Sequence, residues 1–316
     1  MKLPAGKYDR GVALVTALLV VALASVAAVG MATRLQVDMR RSGNLLHGEQ
    51  AYAYALAAES WAQVILKRDK EDNDTDSQHD DWATSLPPIA VEGGLVDGQV
   101  EDLQGRLNLN NLVDKSGAVV VPYLDFYKRL LENLKLDTTL ANALVDWIDV
   151  DISETLPGGA EDGAYLLLDP PYRAANRPLV DISELRLVQG YTPGVITALA
   201  PHVTVLPEDT SINVNTATPE ILLALDPRLD VADVDSLIAY QEERAFAKVA
   251  DFLAENAMAG VPALPFTVSV DSLWFRVLTD VVVGRGRARL KRLLFRDGLT
   301  LMVAARPRAR HYLLPP

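Results

Sequence analysis

The sequence predicts an α+β fold: a long N-terminal helix that crosses a membrane and continues beyond it, an antiparallel sheet, and a large all-α segment inserted between the strands. Three observations predict it. Residues 12–33 are unbroken by any charge, and at 1.5 Å per residue they give roughly 33 Å of helix, enough for a hydrocarbon core. Strand-like alternation with glycine turns occurs twice, at residues 89–111 and again after 265. The residues between those two blocks carry helical periodicity instead.

The leader comes first. Lys2, Lys7 and Arg10 against Asp9 make residues 1–11 short and basic, and they stop at Gly11, directly before the apolar run. A leader that ends before its hydrophobic segment predicts a cut that leaves the helix on the mature chain, as in a type IV pilin-like precursor. Two other readings stand beside it: Ala22-Leu23-Ala24 is an A-x-A site for cleavage before Ser25, and the helix can be an uncleaved anchor. Arg34, Arg40 and Arg41 balance the basic leader across the span, so charge decides orientation poorly. The long remainder reads as an exported domain, which puts the N-terminus inside.

Bulk composition agrees with export. Among 316 residues there is no cysteine, which excludes disulfides and cysteine-based metal or redox sites. The net charge of −12 argues against nucleic acid as the main partner. His47, His79, His202 and His311 are scattered without ligand spacing, which argues against a histidine-based zinc site or triad.

Residues 34–68 continue the helix as a soluble extension. They are rich in Ala, Leu, Glu and Gln, and Leu45, Tyr52, Leu56, Trp61, Val64 and Ile65 form an apolar stripe. Ser42-Gly43 is its expected weak point. The acidic stretch from Lys70 to Pro88 alternates Asp72, Asp74 and Asp76 as a calcium loop can, but Ser77 and Ala83 stand where the loop needs glycine and glutamate. It reads as a solvated loop, so 69–111 are taken as a turn followed by short strands. Residues 112–265 form the inserted helical domain, with helices from Tyr123 and Thr139, a capping box at Asp181 and Glu184, and a start at Thr218-Pro219. Residues 266–316 read as a three-stranded meander broken at Gly284–Gly286 and Asp297-Gly298.

Two constellations in the helical block carry candidate chemistry. In DWIDVDISETLPGGAEDGAY, which begins at Asp146, Asp149 and Asp151 leave the end of a helix, Pro157-Gly158-Gly159 reverse the chain, and Glu161-Asp162 return. Clustered carboxylates on a turning backbone supply the oxygens a hard divalent cation needs. The spacing is not that of an EF-hand, since Glu154 and Ala160 replace its glycine and glutamate. A structural calcium site, a solvated acidic turn and a catalytic metal site remain open, the last without any neighbouring histidine or lysine. The second constellation, SINVNTATPEILLAL with VADVDSLIAYQEERAFAKVADFL (residues 211–256), has a helix-hairpin-helix or SAM-like outline. Its joint, Asp226 to Asp230, lacks glycine and places carboxylates where phosphate would sit.

The RGVAL junction, the WIDVD and GAED pair, YRAANRPLVDISELRLVQG, INVNTATPE and VSVDSLWF together resemble the general secretory pathway protein K family, the minor pseudopilin K of bacterial type II secretion. The resemblance covers almost the whole chain. It implies a type IV pilin-like fold with a large helical insert and a bound structural calcium. It further implies a place at the tip of a periplasmic pseudopilus, beside pseudopilins I and J and next to H, with no enzymatic activity. Prepilin peptidase would cut between Gly11 and Val12 and methylate Val12, and the precursor would be a single-pass inner-membrane protein engaging the assembly platform. The calcium ligands are expected at Asp149, Asp151, Glu161 and Asp162, with Asp146 and Asn176 as further candidates. Pilins usually carry glutamate at the fifth mature position, which here is Thr16. The K family lacks that glutamate in general, and Thr16 cannot form the ion pair with a neighbour's N-terminal amine. The alternative functional classes are a membrane-anchored periplasmic DNA-binding protein and a metal-dependent hydrolase.

Overall fold

The computed structural model describes residues 9–84, 87–305 and 310–313; Lys2 and Lys7 of the leader lie outside the described residues. In chain order the elements are α1 (Asp9–Asp72), β1 (Ile89–Val91), β2 (Gly94–Asp102), β3 (Leu107–Asn108), α2 (Val121–Asn133), α3 (Leu140–Ile148), α4 (Asp162–Tyr165) and α5 (Pro193–Leu199). There follow β4 (Val203–Thr204), β5 (Ile212–Asn213), α6 (Pro219–Ala224), α7 (Val231–Glu243), α8 (Val249–Leu253), β6 (Val268–Ser269), β7 (Trp274–Val283), β8 (Gly286–Asp297), β9 (Thr300–Ala305) and β10 (Arg310–Leu313).

Helix α1 is continuous through Ser42-Gly43, so the expected weak point does not interrupt it. Its first part is apolar and exposed all round, and is long and apolar enough to cross a membrane. The hydroxyls in that part are satisfied inside the helix: Thr16 Oγ1 donates to the carbonyls of Val12 and Ala13 at 3.1 and 3.0 Å, and Ser25 and Thr33 do the same four residues back. Lipid offers these groups no partner, so the local bonds remove a desolvation cost.

The second part of α1 lies across a sheet ordered β1-β2-β7-β8-β10, with β9 also on β8, all antiparallel. Small helix residues let it approach. Ala51 and Ala55 pack on Val281, Val283, Ala288 and Leu290, and Ala62 and Leu66 pack on Phe275, Val277 and Leu294. At Gly286 a side chain would meet the backbone of His47 and Gly48 at 2.4–2.5 Å, so glycine is required where helix and strand cross.

The basic strand β8 divides its charges between two faces, as a period of two requires. Arg287 and Arg289 pair with Asp280 on one face, and Lys291 reaches Asp181 of the helical segment at 3.7 Å. Arg292 and Arg296 point toward α1. Arg292 Nε meets Glu59 Oε2 at 2.9 Å, both side chains being buried, and Arg296 bonds Asp69 and Asp76. These buried pairs fix the register of stem against sheet.

Three expectations need correction. The stretch 70–84 is not a solvated loop: Asp76 is fully buried, Ser77 and Trp82 nearly so, and Asp76 N–H donates to Val270 O at 2.9 Å. Residues 266–284 do not form one strand. Val268-Ser269 pair in parallel with Ile212-Asn213, and the sheet strand starts only at Trp274. The C-terminal part is not a plain meander either, because β9 lies along the second half of β8 and β10 along the first.

The chain leaves the sheet after β2 and re-enters it at β7, and the intervening helices share one apolar core that includes Phe126, Leu130, Leu144, Val145, Ile221 and Phe246. A buried polar knot joins that core to the sheet. Asn213 Nδ2 donates to Asp76 O, Asp102 Oδ2 and Ser272 Oγ at 2.9–3.0 Å, and Ser272 and Thr216 hydroxyls also donate to Asp102 Oδ2. The INVNTATPE and VSVDS motifs are therefore the two halves of one joint.

Candidate metal centre in the helical insert

The strongest chemistry among the described residues lies at the end of α3. The helix stops because Asp149 turns extended (ψ 177°) while its N–H still caps Val145 O at 2.8 Å. Asp151 then accepts the Ser153 N–H at 2.7 Å in an Asx turn. Gly158, at φ +84°, reverses the chain. Gly159 follows in a position where a side chain would lie 2.2 Å from Asp146 Oδ2 and 2.4 Å from Thr155 O. The chain returns at Glu161, which precedes the short helix α4 and offers it no side-chain cap.

This reversal places one carboxylate oxygen each of Asp149, Asp151 and Glu161 within 4.8 Å of one another. Asp149 and Glu161 are 3 % exposed, yet Asp149 Oδ1 and both carboxylate oxygens of Glu161 have no hydrogen-bond partner. Buried charges without partners are expensive. Burial first, and then the neighbouring Asp151 and Asp146, raises Asp149 to about 6. Burial, then Asp146, Asp149, Asp151 and Asp162, raises Glu161 to about 7. Among the described residues no cationic side chain forms an ion pair with either; Arg173 pairs with Asp162 instead. The arrangement suits a hard divalent cation with oxygen ligands.

The remaining expected ligands divide. Asn176 sits beside the group at φ +45°, its N–H on Trp147 O and its Nδ2 on Asp151 O at 2.9 Å each, and its Oδ1 is shielded and unpartnered. Asp146 is fully buried and accepts the Thr155 N–H at 3.0–3.2 Å, so it shapes the loop. Asp162 is not drawn into the group: its carboxylate accepts the Ala174 N–H at 3.1 Å and pairs with Arg173 at 3.4 Å. Adjacency in sequence to Glu161 had suggested a ligand, but one residue further on, at the start of α4, the side chain faces elsewhere.

Residues 105–208 and 212–271 match two family descriptions, both of protein K of the type II secretion system. Type II secretion system protein K of Pseudomonas aeruginosa is 34% identical over 94% of this chain and 92% of its own length. The chain belongs to the protein K family of the type II secretion system. The protein K of Klebsiella pneumoniae is 34% identical over 94% of this chain and 96% of its own, and that of Aeromonas hydrophila 30% over 93% and 95%. The fold agrees with the family. The crystal structure of the GspK-GspI-GspJ complex from the enterotoxigenic Escherichia coli type 2 secretion system matches with a TM-score of 0.74 and 27% identity, covering 87% of this chain and 100% of that one. As a pseudopilin K, the chain is a structural component of protein secretion, and among the described residues one N-terminal helix is long and apolar enough to cross a membrane. Its polar joint, which sequence reading did not foresee, accounts for Asn213, Thr216 and Ser272 within the motifs that carried the resemblance.

Proposed function

We propose that this pseudopilin occupies the tip of a periplasmic pseudopilus beside pseudopilins I and J, next to H, and helps to initiate it. The observation that carries this reading is the match to a solved protein K that stands in a complex with I and J. The helical segment between β2 and β7 adds bulk on one side of the stem, which suits a single terminal copy and obstructs helical repetition. Thr16, whose hydroxyl is bonded to its own helix, makes no charge pair with a neighbouring amine, as fits a subunit without a successor above it. The precursor sits in the inner membrane with its N-terminus in the cytoplasm; prepilin peptidase cuts after Gly11 and methylates Val12, and the assembly platform extracts the mature subunit. The role is mechanical and no reaction is catalysed.

Calcium is the cation proposed for the insert, held by Asp149, Asp151, Glu161 and the Asn176 carbonyl oxygen. Bound there, it supplies positive charge to orphaned oxygens and pins the 149–161 reversal to α3. The test is co-isolation. Full-length protein K expressed with I and J and extracted in detergent should yield a stable ternary complex. A K subunit that fractionates alone, with secretion intact, would refute the tip assignment.

A further inference from the structure

The far end of the stem holds a second group of carboxylates, in the stretch that composition had suggested was solvated. Asp69 on the last turns of α1, and Asp76 and Asp80 on the following loop, each place an oxygen within 4.8 Å of the others. Asp76 is 0 % and Asp69 7 % exposed. One buried cation faces them: Arg296 Nη1 lies 3.2 Å from Asp69 Oδ2, and Nη2 bonds Asp76 Oδ2. The guanidinium also donates to the Leu66 and Ser272 carbonyls and lies over the Phe275 ring. The other cations nearby pair with other carboxylates: Arg68 with Asp72 at 3.7 Å, at the rim of the same cavity, and Lys70 with Asp74 at 3.4 Å. His79 Nε2 lies 2.7 Å from the Gln241 carbonyl. Arg296 thus bonds Asp69 and Asp76 but not Asp80, whose Oδ2 accepts the Ser77 N–H at 2.6 Å, so three carboxylates face a single guanidinium.

Two further observations point to what fills that deficit. Asp76 Oδ1 is sealed from solvent and has no hydrogen-bond partner, although Oδ2 of the same carboxylate takes both Arg296 and the Ser272 N–H at 2.7 Å. Beside the group a polar cavity of about 240 Å³ opens, lined by Asp69, Asp72, Asp80 and Asp81 together with Arg68 and His79. That is room for the waters that complete the shell of a hard cation bound by few protein oxygens. We propose that Asp69, Asp76 and Asp80 form a second divalent-cation site, of the calcium class, at the junction of stem, loop and sheet. It shares no residue with the insert site. The ion ties the end of α1 to the 73–80 loop, and through Arg296 and Ser272 to β8 and the entry of β7, so it stiffens the neck between stem and insert.

The test uses the full-length chain in detergent with calcium alone, its stoichiometry read by native mass spectrometry and its affinity by calorimetry. The Asp149→Asn/Glu161→Gln double variant disables the insert site, and it should still bind one calcium. Adding Asp80→Asn, a near-isosteric change at a half-buried side chain, should weaken that remaining binding at least tenfold without lowering the melt in chelator. Terbium gives an independent readout. Trp82 stands on the same loop, and Trp82→Phe in the double-variant background should remove most of the indole-sensitised emission. The double variant binding no calcium at all would overturn the proposal, as would binding that survives Asp80→Asn undiminished. If Asp80→Asn lowers the chelator melt, the stoichiometry of the double variant alone decides, one ion for the proposal and none against it.

Discussion

Replacing Glu161 by glutamine should stabilise the calcium-free protein and weaken its response to calcium. Glu161 is 3 % exposed, has no hydrogen-bond partner for either oxygen, and is raised from 4.5 to about 7 by burial and by Asp146, Asp149 and Asp151. A raised acid binds its proton more tightly in the folded than in the unfolded chain. The stability it contributes is complete below about pH 4 and is lost as pH rises through about 7. The rise corresponds to roughly 3 kcal/mol of apo stability missing at neutral pH. Glutamine keeps the shape and carries no charge, so that penalty disappears. At about 2–4 °C per kcal/mol, the variant should melt roughly 6–12 °C above the parent chain in excess chelator at pH 7. In calcium the gap narrows. A ligand at a hundred times its dissociation constant adds about 2.7 kcal/mol to the parent, and the variant should gain much less. The assay is a melt of full-length protein in detergent, followed by fluorescence of Trp147, whose ring lies 5.1 Å from that of Tyr165 beside the site. A variant that melts lower than the parent in chelator, or that responds to calcium as the parent does, would refute the reasoning.

Other consequences are separately measurable. Calcium affinity should rise between pH 5 and 7.5, because Asp149 and Glu161 are raised to about 6 and 7 and must release protons to bind the ion; calorimetry showing a flat pH profile would contradict this. Gly159→Ala should cost about 1–3 kcal/mol and abolish insert binding, because its side chain would lie 2.2 Å from Asp146 Oδ2; an unchanged melt and titration would speak against the loop geometry. Arg292→Met leaves Glu59 charged in a buried contact and should destabilise by about 3–5 kcal/mol, whereas adding Glu59→Leu should restore much of it; additive losses in denaturant titrations would argue against a buried pair. Gly11→Val should block both processing and secretion, read by immunoblot of precursor and of culture supernatant.

Much of this was legible where cause and effect lie close together in the chain. The 182–187 turn begins with the capping box expected at Asp181 and Glu184, because that motif needs only four residues. It forms a 3-10 turn in place of an α-helix. Asp149, Asp151 and Glu161 could be paired from sequence because a Pro-Gly-Gly reversal separates them. Asp162 could not be excluded, since its direction depends on Ala174 and Arg173 on a later loop. The least legible feature was the neck. Asp69 and Asp76 look like surface acids until Arg296 arrives from β8, more than two hundred residues later. An acidic stretch defaults to solvent in any local reading, and only tertiary pairing overturns that. The same distance hid the role of the basic strand, where alternation alone could not say which arginines meet the stem.

The central claim is that this chain enters a filament as a prepilin-type subunit with its hydrophobic helix retained. The most direct test is the N-terminal residue of the mature protein, read by mass spectrometry of the membrane fraction. A methylated Val12 is the predicted result. An intact Met1, or a new terminus at Ser25, would contradict it and leave a simple anchor or a soluble periplasmic protein in place of a pseudopilin.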